Sequence, residues 1–418
     1  MAFYVLRIGG VFVNLPQIAL VASMKEEFLD IAPYDDSEFR HHMARLVDEP
    51  GFENAIKYIV PDADYTALVD MLKHISTKEE FQVKVMLHIL EMLERKTTSG
   101  VTESGFETIK KDSGVLFISN HRDIVLDASF LGLVMIRHGR QAMEVALGDN
   151  LLIYPWIESL VRLNKGIIVK RNLRLTKALE AARQLSAYIR YAIGEKHESV
   201  WLAQREGRAK DSNDVTQESV IKMLALSGDK DEPIASKLMP LNITPVSISY
   251  EYDPNDYLKA REFLARKRDP EFKKSQRDDL FSMETGILQF KGKVNFAFGQ
   301  CINNRLKALV DITDKAEVIR EVCAAIDNEI HSHYRIYPIN YIAYDCVEGS
   351  KRFAECYTNA EAEAFSAYVD GQLDKVDLPD ITAEERAFMR GAILKMYANP
   401  LRNKLAATIS QPSAECPI

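Results

Sequence analysis

One histidine and two carboxylates, His121, Asp123 and Asp127, follow directly on a short apolar run, Val115-Leu116-Phe117-Ile118. Imidazole is the side chain whose ordinary titration range straddles physiological pH, so its neutral form is available to take a proton from a hydroxyl. A carboxylate on the second ring nitrogen would fix the tautomer and stabilise the imidazolium that forms. Together these residue types offer general-base chemistry. The run reads as a strand buried on both faces, and Asp127-Ala128-Ser129-Phe130-Leu131-Gly132-Leu133-Val134-Met135 reads as the following helix. His121 then stands where strand passes to helix, the usual ligand crevice of open α/β sheets. Neither carboxylate shares a straight helical face with His121, so the histidine must lie in the loop and Asp127 in the first helical turn. Asp127 is the favoured partner; Asp123 competes for that role but is also a natural helix cap, with Arg122 its neighbour.

Three more apolar runs end in polar residues without an obvious packing role. Gly166-Ile167-Ile168-Val169 ends in Lys170-Arg171 ahead of a long helical segment from about 173 to 196. Ser199-Val200-Trp201-Leu202-Ala203 ends in Gln204-Arg205-Glu206-Gly207-Arg208, where the glycine permits a tight backbone and its charged neighbours project around it. Ile243 to Tyr250 is β-rich, carries Pro245 near its start and runs into the turn Glu251-Tyr252-Asp253-Pro254. No Gly-x-Ser-x-Gly elbow nominates a serine nucleophile. His331 and His333 lack nearby cysteines and read as helix-end or surface residues rather than metal ligands.

This order of strand ends resembles the block order of the glycerolipid acyltransferase superfamily, nearest in flavour to glycerol-3-phosphate and lysophosphatidate acyltransferases. The likeness spans roughly 101 to 252. Asn120-His121-Arg122 with Asp127 is similar to the first block, Gly166 to Arg171 to the second, Glu206-Gly207-Arg208 to the third and Ile243 to Tyr250 to the fourth. The chain departs from the family in placing its carboxylate one residue further from the histidine, with Leu126 at the usual position, and in having Gln204-Arg205 ahead of Glu-Gly. The resemblance implies transfer of an acyl chain from an acyl thioester, on acyl-CoA or acyl carrier protein, to a hydroxyl of glycerol phosphate or a lysophospholipid. His121 would be the general base with no acyl-enzyme. It implies Arg122, Lys170, Arg171, Glu206, Gly207 and Arg208 as substrate-binding residues, since guanidinium forks match phosphate oxygens. No metal or cofactor beyond the co-substrate is expected. Competing readings are an O-acyltransferase for an amino-acid lysolipid, a thioester or lipid hydrolase, and a non-catalytic lipid-binding protein.

The expected fold is α/β, a mostly parallel central sheet flanked by helices. An N-terminal helical region over 1–100 and a C-terminal helical extension with a flexible tail over 346–418 would bracket a catalytic domain over 101–345, with the first boundary near 97–105. Helical spacing recurs over 65–75, 79–93, 315–330 and 360–407, and 288–298 suggests a strand near the sheet edge. With 418 residues and 47% apolar content, the chain has ample material for a sizeable core. Five cysteines with no close pair suit a reducing compartment, and the net charge of -8 argues against nucleic acid as a partner. Tyr257 to Arg277, with eight Lys or Arg against three acids, suggests a basic surface for an anionic bilayer, split by Pro270. No apolar run reaches the ~20 residues needed to span a bilayer. The expected location is therefore cytoplasmic and peripheral, on the inner face of the membrane. The apolar stretch 11–22 reads as a first core helix.

Overall fold

The computed structural model describes residues 6–8, 11–13, 26–111 and 113–409. Strands β1 (Leu6–Ile8) and β2 (Val11–Val13) form an antiparallel pair, so the expected helix over 11–22 begins as a strand. Its remainder, and the tail from 411, lie outside the described residues. The central sheet holds β3 (Val101–Ser104), β4 (Leu116–Ser119), β5 (Glu144–Gly148), β6 (Gly166–Val169), β7 (Val200–Ala203), β8 (Thr244–Tyr250) and β9 (Val294–Phe298) in the order β3-β9-β8-β4-β7-β5-β6. Every pairing is parallel except β8 with β9.

β4 occupies the centre, with Ser119 opposite Ala203 of β7 and Val246 of β8. This register brings His121, the residues after Ala203 and Tyr250 to one edge. Two strands of this central sheet were not foreseen. Val101–Ser104 falls inside the expected domain boundary but pairs with β9 as the sheet's edge, and β9 is therefore the second strand in. β5 is interrupted in its apolar pattern by Glu144, whose buried carboxylate accepts from Tyr188 and pairs with Lys196.

Helices α1 (Asp36–Val47), α2 (Pro50–Ile59), α3 (Tyr65–His74) and α4 (Leu87–Thr97) precede the sheet, with a π-helical turn at Gln82–Met86 leading into α4. Asp35 and Asp64 cap α1 and α3 through the backbone N–H groups that a helix start leaves open. Within the sheet region lie α5 (Leu126–Arg137), α6 (Pro155–Leu163), α7 (Leu175–Gly194), α8 (Asp256–Arg268), α9 (Gln276–Leu288) and α10 (Lys315–Ser332). The chain closes with α11 (Pro338–Glu348), α12 (Asn359–Asp374) and α13 (Ala383–Ile409).

One sheet face packs on α7 and α10 through residues such as Ile118, Ile189, Leu202 and Ile326. The other packs on α4 and α5 through Phe117, Leu90, Phe130 and Phe298. A third core joins Tyr257, Ala260 and Leu264 of α8 to α11, α12 and α13. The basic segment is broken around Pro270 as expected, yet its first half is not a free surface helix. Its apolar side is roofed by the C-terminal helices.

Candidate active site

The loop after β4 is pinned before it reaches His121. The side-chain amide of Asn120 accepts from the N–H of Ile248 at 2.8 Å and donates to the carbonyl of Ile248 at 2.9 Å, standing in for a peptide of the β4–β8 ladder. Ser119 Oγ accepts from Trp201 Nε1 at 3.0 Å and donates to the carbonyl of Asn120 at 2.7 Å. The His121 ring meets Trp201 edge-on, centroids 5.5 Å apart.

His121 Nδ1 lies 2.8 Å from Asp127 Oδ2, and the same oxygen accepts from the N–H of Arg122 at 2.6 Å and of Asp123 at 3.0 Å. The loop thus wraps around one carboxylate oxygen, which is how the longer His-to-Asp spacing still closes. With Nδ1 committed to Asp127, Nε2 is the ring atom left to exchange a proton with a substrate. Asp127 is fully buried while the His121 side chain keeps 13% exposure, so the pair is anchored on one side and reachable on the other.

Asp123 has a different task. Its Oδ1 accepts from the N–H groups of Val125 and Leu126 at 2.9 and 2.7 Å, closing the turn into α5. Burial, then the neighbouring Asp127, push its carboxyl above the usual range. Its Oδ2 faces Gly286 of α9, where any Cβ would collide with it. Burial and then the charges of Asp127 and Asp123 hold the buried Tyr250 phenol well above its ordinary value, which keeps it a neutral neighbour of the pair.

The expected substrate ligands separate into distinct environments. Arg122 is buried, paired with Asp214 at 2.8 Å and stacked over Tyr334, whose hydroxyl donates to the same Asp214 oxygen at 2.6 Å. Burial opposes its charge, and Asp214 and Tyr334 more than offset that. Through these contacts Arg122 braces the histidine loop, while its buried Nη1 has no hydrogen-bond partner among the described residues. Lys170 turns to Asp30 and Gln184. Arg171 lies against Gly148, donates its N–H to Asp149 at 3.2 Å and places Nη1 3.5 Å from the exposed Glu206. Gly207 takes a left-handed φ of 66° that favours glycine at this turn. Arg208 feels the charge of Asp123, and its buried Nη1 has no partner among the described residues. His331 and His333 end α10, bonded to the carbonyls of Asp214 and Glu329. Among the described residues no three His, Cys, Asp or Glu side chains gather as a metal site.

Sequence reasoning missed the apolar half of the site. A cavity of about 560 Å³ opens beside the histidine loop, walled by Val125 and Gly132, by Ile56 of α2, by Trp156 of α6, and by Met283 and Ile287 of α9. Its walls come from segments far apart in the chain, so no local pattern announces it. Asp214 and the fully buried Gln204, whose amide has no partner among the described residues, were missed as well. The buried-polar position of Gln204 at a strand end was the available signal.

The fold and site thus define a mostly parallel-sheet α/β protein with a histidine–aspartate pair at a strand end and an apolar cavity beside it. The family model described as Acyltransferase matches residues 100–230. The likeness is confined to that span and is to acyltransferase domains. None of the curated proteins matches the chain. Among solved structures it overlaps PlsC, the 1-acyl-sn-glycerophosphate acyltransferase of Thermotoga maritima, at 12% identity and a TM-score of 0.30, over 68% of this chain and 94% of that one. It also overlaps the signal recognition particle 54 kDa protein of Aeropyrum pernix at 12% identity and a TM-score of 0.20, over 89% and 99%. At those scores neither overlap bears on fold or function.

Proposed function

We propose that this protein moves a fatty acyl chain from a thioester, acyl-CoA or acyl carrier protein, to a hydroxyl of glycerol phosphate or a lysophospholipid at the inner membrane face. The reading rests on one observation: the loop that holds His121 on Asp127 also supplies Val125 to the wall of the apolar cavity. Base and acyl site are thereby adjacent. His121 Nε2 takes the acceptor's hydroxyl proton, the alkoxide oxygen bonds to the thioester carbonyl carbon, and the carbon–sulfur bond breaks as the thiolate leaves. The proton on His121 then passes to the thiolate. Arg208 and Arg122, each with a buried donor to spare, and Arg171 are the side chains best placed to hold the acceptor's anionic group.

The test is transfer of labelled acyl chains from both donors to a panel of glycerol phosphate, lysophospholipids and amino-acid lysolipids, comparing wild type with His121→Ala. Transfer that falls by about a thousandfold or more in the variant supports the base assignment. Absence of transfer to any acceptor, with release of free fatty acid instead, would make the protein a hydrolase.

A further inference from the structure

Helix α7 is built in two unlike halves. Its buried residues, Leu185, Ser186, Tyr188, Ile189, Ala192 and Ile193, all belong to the second half, which packs under the sheet. The first two turns run past the core. There Leu175 is 92% exposed, Leu179 46% and the preceding Leu173 37%. Leu175, Ala178, Leu179 and Ala182 fall at the i, i+3, i+4 and i+7 positions of one stripe, a helical face that covers nothing among the described residues. Arg174 and Arg183 flank it and Lys177 lies on the opposite face with Glu180; none of the three cations takes part in an ion pair among the described residues.

The position of the stripe matters as much as its composition. It begins four residues after Arg171, at the same carboxyl edge of the sheet as His121. Tyr154, half exposed and lining the apolar cavity, follows β5, which neighbours β6. On a chain with a net charge of -8, a local excess of unpaired cations around exposed leucines runs against the overall balance. Leucine and tyrosine at the surface, rimmed by Arg, is the composition that seats a helix in the headgroup region of an anionic bilayer.

We infer that the first two turns of α7, with Leu173, form the surface by which the protein docks on an anionic membrane, the leucines entering the acyl boundary and the cations meeting lipid phosphates. This rests on the proposed lipid acceptor, because docking here turns the sheet edge carrying His121 toward the bilayer that supplies it. The basic helix α8, the sequence-based candidate for this role, is instead covered by the C-terminal helices.

The experiment is co-sedimentation of the full chain with phosphatidylcholine vesicles and with phosphatidylcholine–phosphatidylglycerol vesicles. It compares wild type, Leu175→Glu with Leu179→Glu, Arg174→Glu with Arg183→Glu, and His121→Ala. Wild type should bind the anionic vesicles, more weakly at high salt, and each double variant should lose about tenfold or more in affinity with an unchanged thermal midpoint. His121→Ala should bind like wild type, so that failure of the transferase reading is distinguishable from failure of the docking surface. Vesicle binding that is absent in wild type, or unaltered in both double variants, overturns the inference. So does a result in which the double variants weaken only the interaction with acyl carrier protein.

Discussion

Asp127 Oδ2 gathers three donors, the His121 ring and two loop N–H groups, so this one oxygen both orients the base and holds the loop in shape. Asp127→Asn presents at best one acceptor oxygen to those donors and loses the negative charge that stabilises an imidazolium. Transfer should fall by roughly a hundredfold to ten-thousandfold, with a stability loss of about 1–3 kcal/mol, read from kcat and from thermal melting. Asp123→Asn keeps an oxygen for the N–H groups of Val125 and Leu126 and should retain activity within about tenfold. Equal losses in the two variants would refute the division of labour between them. The sequence already pointed to Asp127 and to the capping office of Asp123, because both follow from strand-to-helix geometry. It gave no sign that Arg122 and Lys170 would be occupied, since their partners Asp214 and Asp30 lie far along the chain. Arg208 keeps a buried donor unpartnered. Arg208→Ala should raise the KM for the acceptor by about ten- to hundredfold and leave that for the thioester nearly unchanged, as loss of a charged hydrogen bond predicts.

Helix α9 meets the catalytic loop without a side chain between them, because Gly286 lies flat against Asp123. Asp123 is fixed by the turn it closes and cannot give way, so Gly286→Ala must push α9 off the loop. A loss of about 1–3 kcal/mol in stability is expected, together with reduced kcat, and trimming the obstacle with Asp123→Ala should be less than additive with it in a double-mutant cycle. The same helix supplies Met283 and Ile287 to the cavity opposite Gly132 of α5. A Cβ at Gly132 would meet Ala142 and Met143 at ordinary contact distance, so Gly132→Ala should leave acyl preference intact. Gly132→Leu would fill acyl space, and long chains should lose roughly fourfold in kcat/KM per displaced methylene while short chains are spared. β4, β6 and β7 were legible because burial on both faces leaves an unbroken apolar run, and β8 because its β-branched and aromatic residues fit a pleated strand. β5 was not, because the core accepts Glu144 only by virtue of Tyr188 and Lys196. β3 exposes three of its four residues at the sheet edge and borrows its pairing from β9, some 190 residues away.

Across the whole molecule, the C-terminal helices are tied to the catalytic half by polar groups as well as by the α8 core. Asn399 of α13 donates to the carbonyl of Asp211 and Lys404 to that of Tyr334, the ring that stacks on Arg122. At the centre of the seam Asp256 accepts from Tyr368 and Tyr397 at 2.8 Å and from Gln372 at 2.6 Å, while the hydroxyl of Tyr397 also accepts from the N–H of Asp253. Burial and then the charge of Asp253 push the carboxyl of Asp256 from 3.8 to about 7. A carboxyl raised in the folded state binds its proton more tightly there than in the unfolded chain. Its contribution to stability is therefore complete below the ordinary carboxylate range and drains as pH climbs through about 7. Asp256→Asn keeps the shape and removes the titration, and the tyrosine hydroxyls are free to turn and accept from its amide. The difference in melting temperature between variant and wild type should accordingly shift in the variant's favour on going from about pH 5 to about pH 8. A difference that stays constant over that range would mean that Asp256 does not change protonation there, and that the seam holds the C-terminal helices to the catalytic half with the same strength at either pH.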